Sequence, residues 1–548
     1  MVLVAAGSAY YAWTDWRVSD EQVRSLAALA KRQAPSLYAH DEALGPGGAW
    51  QFESPAFGAL LAGLKGLGWG SRGPCGPDDL APVRLLTGPV VLVYLGGMYV
   101  LLYLQTRSWS VSVLVAILSS TVIHTLGGTW WGVGSMPSIT ASGVCIALTP
   151  WLVLGYILKR DGWGVVAVFA WIGLMGNLHV PSAMNLALVL LLVHLACGRS
   201  RASGASGRSR PRAWLQSGAC AAAAVVGCLP ILWHRWGLMA RLRPPGAALV
   251  ADKVLQAVRL AEWDALYPQV LDGVWTWLTY VAVLLLVSAV ILHRGERFVV
   301  RNFATWVWCL AAAGAVALVF QGASQLLGLV LRRPPPVVTF VRASGLVMLP
   351  LYVLLAHAVT TLFRIARGHT ALAWWACAVF MVGWMAPSDN LRMARYSLAD
   401  TATLFLNEPD KPRYVQKHHD RYNEWREVSR IAAWARHRTP EDSVFVFDNA
   451  EFRLRSRRGL LLCRDDAGPL YEYTPWRLDA WAGLLQRQRR APATQPAGAD
   501  PLSGGSAVPP TGQTPWFLVL RTSDEAARQL KTVPPEGWGR FYQVCRAR

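Results

Sequence analysis

Residues 83–105 read VRLLTGPVVLVYLGGMYVLLYLQ, a run of 23 with one charge, Arg84, next to its start. An α-helix crosses the ~30 Å hydrocarbon core of a bilayer with about 20 apolar residues, so this run is long enough to span. Outward from it the pattern repeats: 108–127, 141–158, 162–178 and 181–198 follow at short intervals, then 213–233, 271–292, 302–320, 343–363 and 370–386. Residues 2–13 are also apolar, but too few to span alone, and they lack the basic flank of a cleaved signal peptide. Counting them as part of a helix, about eleven transmembrane helices are expected within residues 1–386. The lipid bilayer is the first partner the sequence implies.

Composition agrees. Only 16% of the 548 residues are charged and 53% are hydrophobic, whereas a soluble chain carries about 25% charged residues. The long apolar runs stop at Ala386, so residues 387–548 are expected to form a separate, water-facing domain. Within it, 421–436 has apolar residues at helical spacing, and 475–490 is amphipathic. Residues 443–447 (SVFVF), 459–463, 516–520 (WFLVL) and 540–544 have strand character. The expectation is a small α/β domain with a disordered insertion near 491–514, where Pro, Gly, Ala and Thr predominate.

Orientation follows from the basic residues of the short connections. Alternate connections collect 13 Lys and Arg, from Arg107 to Arg367, against two acids, Asp161 and Glu296. That side reads as cytoplasmic. The N-terminus then lies inside, and 14–82 becomes a long first exoplasmic loop. The C-terminal domain is exoplasmic by the same parity. The formal charge of +20 comes from 53 basic residues, all but seven of them Arg, scattered among loops rather than gathered in a stripe. No nucleic-acid partner is expected.

The nine Cys include no C-x-x-C pair. A Cys463–Cys545 disulfide is open in an oxidising compartment, but spacing alone does not fix it. Gly68 to Gly73 match G-x-G-x-x-G without a preceding strand, and Pro74 follows, so no dinucleotide loop is expected.

Acidic residues locate any chemistry. Fourteen precede Pro387 and eight of these lie in the first exoplasmic loop, while the apolar runs have essentially none in their interiors. Proton relays and ion pathways need intramembrane carboxylates, so a pump or cation-coupled carrier loses support. Asp20 and Glu21 head a helical pattern (Val23, Leu26, Ala27, Ala30) a few residues beyond the first apolar segment. A plain cap with first-turn acids accounts for the pair without any function.

The stretches WRVSDEQ (16–22), SLYAHD (36–41), FESP (52–55) and GNLHVPS (176–182) resemble the GT-C class of membrane glycosyltransferases, in particular bacterial GT-C-like membrane proteins of unassigned substrate. The overall plan is similar as well: about eleven helices, a long first outer loop and a C-terminal outer domain. The resemblance implies a multi-pass protein of the cell (inner) membrane with a periplasmic C-terminal domain. It further implies a polyprenyl-phosphate sugar donor and a glycan, lipid or protein acceptor. Asp20 or Glu21 would then take the proton of an attacking acceptor hydroxyl. The leaving lipid phosphate needs cations, for which Arg332 and Arg333 come first and Arg241 and Arg243 second; contact with lipid headgroups accounts for these arginines equally well.

His179, in the tight connection at 178–181, is a candidate phosphate or acceptor contact, with a solvated turn residue as the alternative. His40, Asp41 and Glu42 form a second acidic cluster, but no clear motif supports a divalent metal. Two other functions remain open: a non-catalytic GT-C-like scaffold or glycan-binding protein, and a lipid-linked oligosaccharide transporter.

Overall fold

A computed structural model describes residues 1–41, 43–66, 79–125, 130–202, 209–243, 302–330, 339–365 and 388–463, the strands at 516–521 and 542–547, and isolated positions elsewhere, chiefly between 466 and 481. Glu42, the glycine-rich 68–73, most of the runs 271–292 and 370–386, Arg332, Arg333 and the insertion 491–514 lie outside the described residues. So does the side chain of Cys545.

The run at 83–105 folds as part of one long helix. Helix α1 (Val2–Thr14) leads to α2 (Asp20–Gln33) and α3 (Pro55–Gly66), and α4 (Ala81–Thr106) holds the 83–105 run. Pro82 sits in the first turn of α4, where its missing N–H costs nothing, and Arg107 ends the helix in the left-handed conformation. Although α4 is apolar all round, Val83, Leu86, Val90, Tyr94, Met98 and Leu101 are buried at helical spacing while Leu92, Val93 and Tyr103 are exposed. Apolar side chains on the outside are what a lipid-facing surface requires.

The chain continues through α5 (Trp109–Ser119), the short strands β1 (Ile123–His124) and β2 (Trp130–Trp131), then α6 (Ala141–Lys159), α7 (Gly164–Met175), α8 (Val180–Ala202) and α9 (Ser209–Leu242). Among the described residues, six helical stretches are long and apolar enough to cross a membrane: Ala81–Thr106, Ala141–Lys159, Val180–Cys197, Trp214–Leu242, Phe303–Gly328 and Val341–Arg364. The protein is a helical, membrane-embedded one. Helices α7 and α9 touch backbone to backbone. A Cβ on Gly227 would lie 2.6 Å from the Ala170 carbonyl, and one on Gly173 would strike that of Ala224. Small residues at such a crossing are how membrane helices gain contact when lipid offers no hydrophobic drive.

Three runs differ from their expected lengths. The run at 108–127 is helical only to Ser119. The hydroxyls of Ser119, Ser120 and Thr121 donate back to the carbonyls of Ala116, Ile117 and Leu118 at 2.7–2.8 Å, competing with continued helix. The run at 213–233 continues to Leu242, because the carboxamide of Asn177 repairs the break at Pro230. It accepts from Ile231 N–H at 3.1 Å and donates to the Gly227 carbonyl at 2.9 Å. Residues 321–342, expected as an outer loop, begin as helix: α10 (Phe303–Ala315) passes through a π-helical turn, Val316–Phe320, into α11 (Gln321–Val330). A 3-10 helix, Val341–Val347, then leads into α12 (Met348–Ile365).

Beyond residue 387 stand α13 (Asp389–Ala402) and α14 (Arg413–Arg438), then β3 (Val444–Val446), α15 (Ala450–Ser456), β4 (Gly459–Leu462), β5 (Trp516–Arg521) and β6 (Tyr542–Ala547). The sheet runs β4-β3-β5-β6, with β3 parallel to both β4 and β5, and β6 antiparallel to β5. The four sequence strands are all present. Phe445, Phe452, Phe517 and Tyr542 pack the core beneath them, with the Phe445 and Phe517 rings stacked at 4.9 Å.

Candidate active site

The placement of α2 starts with a cap. Ser19 and Gln22 form a capping box, so the two hydrogen-bond one another's backbone at the start of α2. The Gln22 amide also donates to the carbonyls of Met136 and Ile139, at 2.7 and 3.0 Å. These bonds lay the first turn of α2 across the start of α6. Glu21, one residue earlier, thereby meets Ser142. Its carboxylate accepts from the Ser142 N–H at 3.3 Å and from the Ser142 hydroxyl at 3.2 Å. It lies at the N-terminal turns of two helices, its own and α6, and both helix dipoles favour its negative charge.

A cavity of about 120 Å³ opens beside Glu21, lined among others by Trp130, Ser142, Asn185 and Arg342. Arg342 rides on the Val341–Val347 helix, whose start is held by Gln321: its side-chain oxygen accepts from the backbone N–H groups of Phe340 and Val341, at 2.8 and 3.3 Å. The Arg342 guanidinium donates to His179 Nε2 at 2.9 Å. Arg can only donate, so Nε2 accepts, while Nδ1 lies 2.8 Å from the Ser182 hydroxyl and 3.3 Å from the Ser182 N–H. Burial and the Arg342 charge push the His179 pKa down to about 3. The ring is neutral at physiological pH and acts as a post that aims Arg342.

Trp130 and Trp131 form one wall. The Trp131 indole donates to the Tyr94 hydroxyl at 2.9 Å, which donates to the Ser119 carbonyl at 2.9 Å. The next residue, Gly132, has φ +105, and a Cβ there would strike the Thr121 carbonyl. Gly132→Ala is expected to cost about 1–3 kcal/mol from the backbone conformation alone. A lowered melting temperature of the detergent-solubilised protein would register it, and unchanged melting would refute it.

Burial works to raise the Glu21 pKa, but His179, Arg342, Arg24 and the Ser142 N–H together outweigh it, holding the carboxyl below its usual range. A carboxyl with a depressed folded pKa stabilises the fold above its unfolded value of about 4.3 and loses that contribution as pH falls through the folded value. The melting temperature of the wild type should therefore fall relative to Glu21→Gln as pH drops below about 4. Parallel pH–melting curves for the two proteins would contradict this.

The sequence candidates separate in space. Asp20 is exposed while Glu21 enters the cavity. His179 stands behind Arg342, as part of the same site. Arg241 and Arg243 are exposed at the far end of α9, the former donating to the Gly237 carbonyl at 3.2 Å, and neither lines the cavity. His40 is exposed and Asp41 is buried. The Asp41 oxygens accept from Arg453 Nε at 2.6 Å and from the N–H groups of Ala43, Leu44 and Leu460 at 2.9–3.0 Å. Asp41 is thus a structural anchor, and among the described residues no three His, Cys, Asp or Glu gather as a metal set.

The cation at the cavity, Arg342, was absent from the sequence candidates, as were Ser142, Trp130 and Asn185. Arg342 stands at the edge of an apolar run, where a charge reads as a boundary. A search of protein families and of curated proteins finds no family model and no curated protein that matches the chain.

Proposed function

We propose that the protein is a GT-C-like membrane glycosyltransferase that moves one sugar from a polyprenyl-phosphate donor to an acceptor on the outer face. In this reading about eleven helices cross the cell membrane, with the N-terminus cytoplasmic and the C-terminal α/β domain exoplasmic. The observation that carries it is a half-buried, ionised carboxylate, Glu21, sharing a cavity with a cation, Arg342, and an aromatic wall, Trp130. An acceptor hydroxyl oxygen attacks the anomeric carbon, the bond from that carbon to the phosphate oxygen breaks, and Glu21 takes the hydroxyl proton. Arg342 meets the charge that develops on the departing phosphate, donating from its planar fork.

The test is turnover. Purified protein in proteoliposomes is offered a panel of polyprenyl-phosphate monosaccharides, and release of polyprenyl phosphate together with glycosylated product is measured. Release that depends on Glu21 supports the proposal. Glycan binding without turnover of any donor would return the protein to the scaffold class.

A further inference from the structure

Asn185 sits in the second turn of α8 and is 1% exposed. Its side-chain N–H donates to the Thr339 carbonyl at 2.9 Å. A carbonyl only accepts, so this bond fixes which way round the amide lies, and the amide oxygen turns away from Thr339. That oxygen is buried and has no hydrogen-bond partner, and Asn185 lines the cavity that holds Glu21 and Arg342. Orphaned polar atoms at buried positions are rare and call for an account. In a membrane helix this is more pointed, because lipid supplies no donor.

The three polar groups ask for different things. Arg342 can only donate and suits an anion; ionised Glu21 can only accept; the Asn185 oxygen also accepts, and needs a hydroxyl or N–H donor. A phosphate oxygen cannot satisfy it, whereas a sugar hydroxyl can. The cavity is small, about 120 Å³, in keeping with a single monosaccharide. We propose that Asn185 determines donor-sugar specificity, its amide oxygen accepting a hydrogen bond from one hydroxyl of the single sugar being transferred. This rests on the glycosyltransferase reading above and names a contact that reading does not require.

The experiment scans the sugar. With whichever donor the full-length protein turns over in proteoliposomes, kcat/KM is measured for its monodeoxy and monodeoxyfluoro analogues. Since the Asn185 amide oxygen only accepts, the hydroxyl must donate, and at one position both replacements should lower kcat/KM by about 10²-fold or more. In Asn185→Leu and Asn185→Ser that penalty should shrink to within about 3-fold, because the natural donor falls to the level of its deoxy analogue.

A penalty unchanged in the folded variants overturns the assignment of Asn185 and leaves the glycosyltransferase reading standing. If neither variant folds, the wild-type scan decides: the absence of any position where deoxy and fluoro analogues fail alike overturns it. A wild type that transfers no sugar at all overturns both.

Discussion

Under the proposed glycosyltransferase activity, Glu21→Gln is expected to lower kcat by about 10²–10⁴-fold, the span of a lost general base. Gln keeps the shape: its oxygen can accept from the Ser142 N–H and its amide nitrogen can donate to the Ser142 hydroxyl, so the helix contact survives. What it removes is a site for the acceptor's proton. Asp20→Asn should stay within about 2-fold of wild type, since a solvent-exposed acid at the start of α2 has no access to the cavity. Glu21→Asp should be intermediate, with the carboxylate drawn back one methylene from the cavity. Steady-state rates for the three variants, each checked by size-exclusion chromatography, separate the roles. Full activity in Glu21→Gln would make Glu21 a cap for α6 and end its assignment as base.

Arg453→Met should destabilise the folded protein by about 3–5 kcal/mol, the usual result of leaving buried charge without its partner. Arg453 is 2% exposed and lies between two carboxylates. Its Nε meets Asp41 at 2.6 Å, and its two terminal nitrogens meet Asp466 at 2.9 and 2.6 Å. Tyr38 adds a hydrogen bond from its hydroxyl to the Arg453 carbonyl at 3.3 Å. Removing the guanidinium strands both acids at the junction of the segment after α2 with the β3–β4 unit.

Melting in detergent should drop, and limited proteolysis should become faster near residues 34–54. Adding Asp41→Asn and Asp466→Asn to Arg453→Met should restore part of the loss, since the stranded charge is what costs most. Equal melting of Arg453→Met and wild type would show that the network contributes nothing.

The membrane helices were legible because their signal is local: a run such as 83–105 carries its solvent in its composition. Strands such as SVFVF and WFLVL were legible for the same reason. The ends of the runs were not, since Ser119 to Thr121 stop a helix by side-chain bonds, and Asn177 extends another across Pro230 from a separate element.

The site was half visible. The acidic pair Asp20–Glu21 marked the place, but neighbours on a helix point about 100° apart, and which one faces inward is settled by Gln22 reaching Met136, 114 residues away. Arg342 and Asn185 left no local mark beyond a single polar residue in or beside an apolar run. The lesson is to weigh neutral amides in such runs as well as charges.

The Asp41–Arg453 pair has a consequence in time. Its two halves are 412 residues apart in the chain, and at a synthesis rate of ~5–20 residues per second Asp41 waits about 20–80 s for its partner to be made. During that interval the segment after α2 lacks that tether, while the helix bearing Glu21 can already be set by the bonds of Gln22 to Met136 and Ile139.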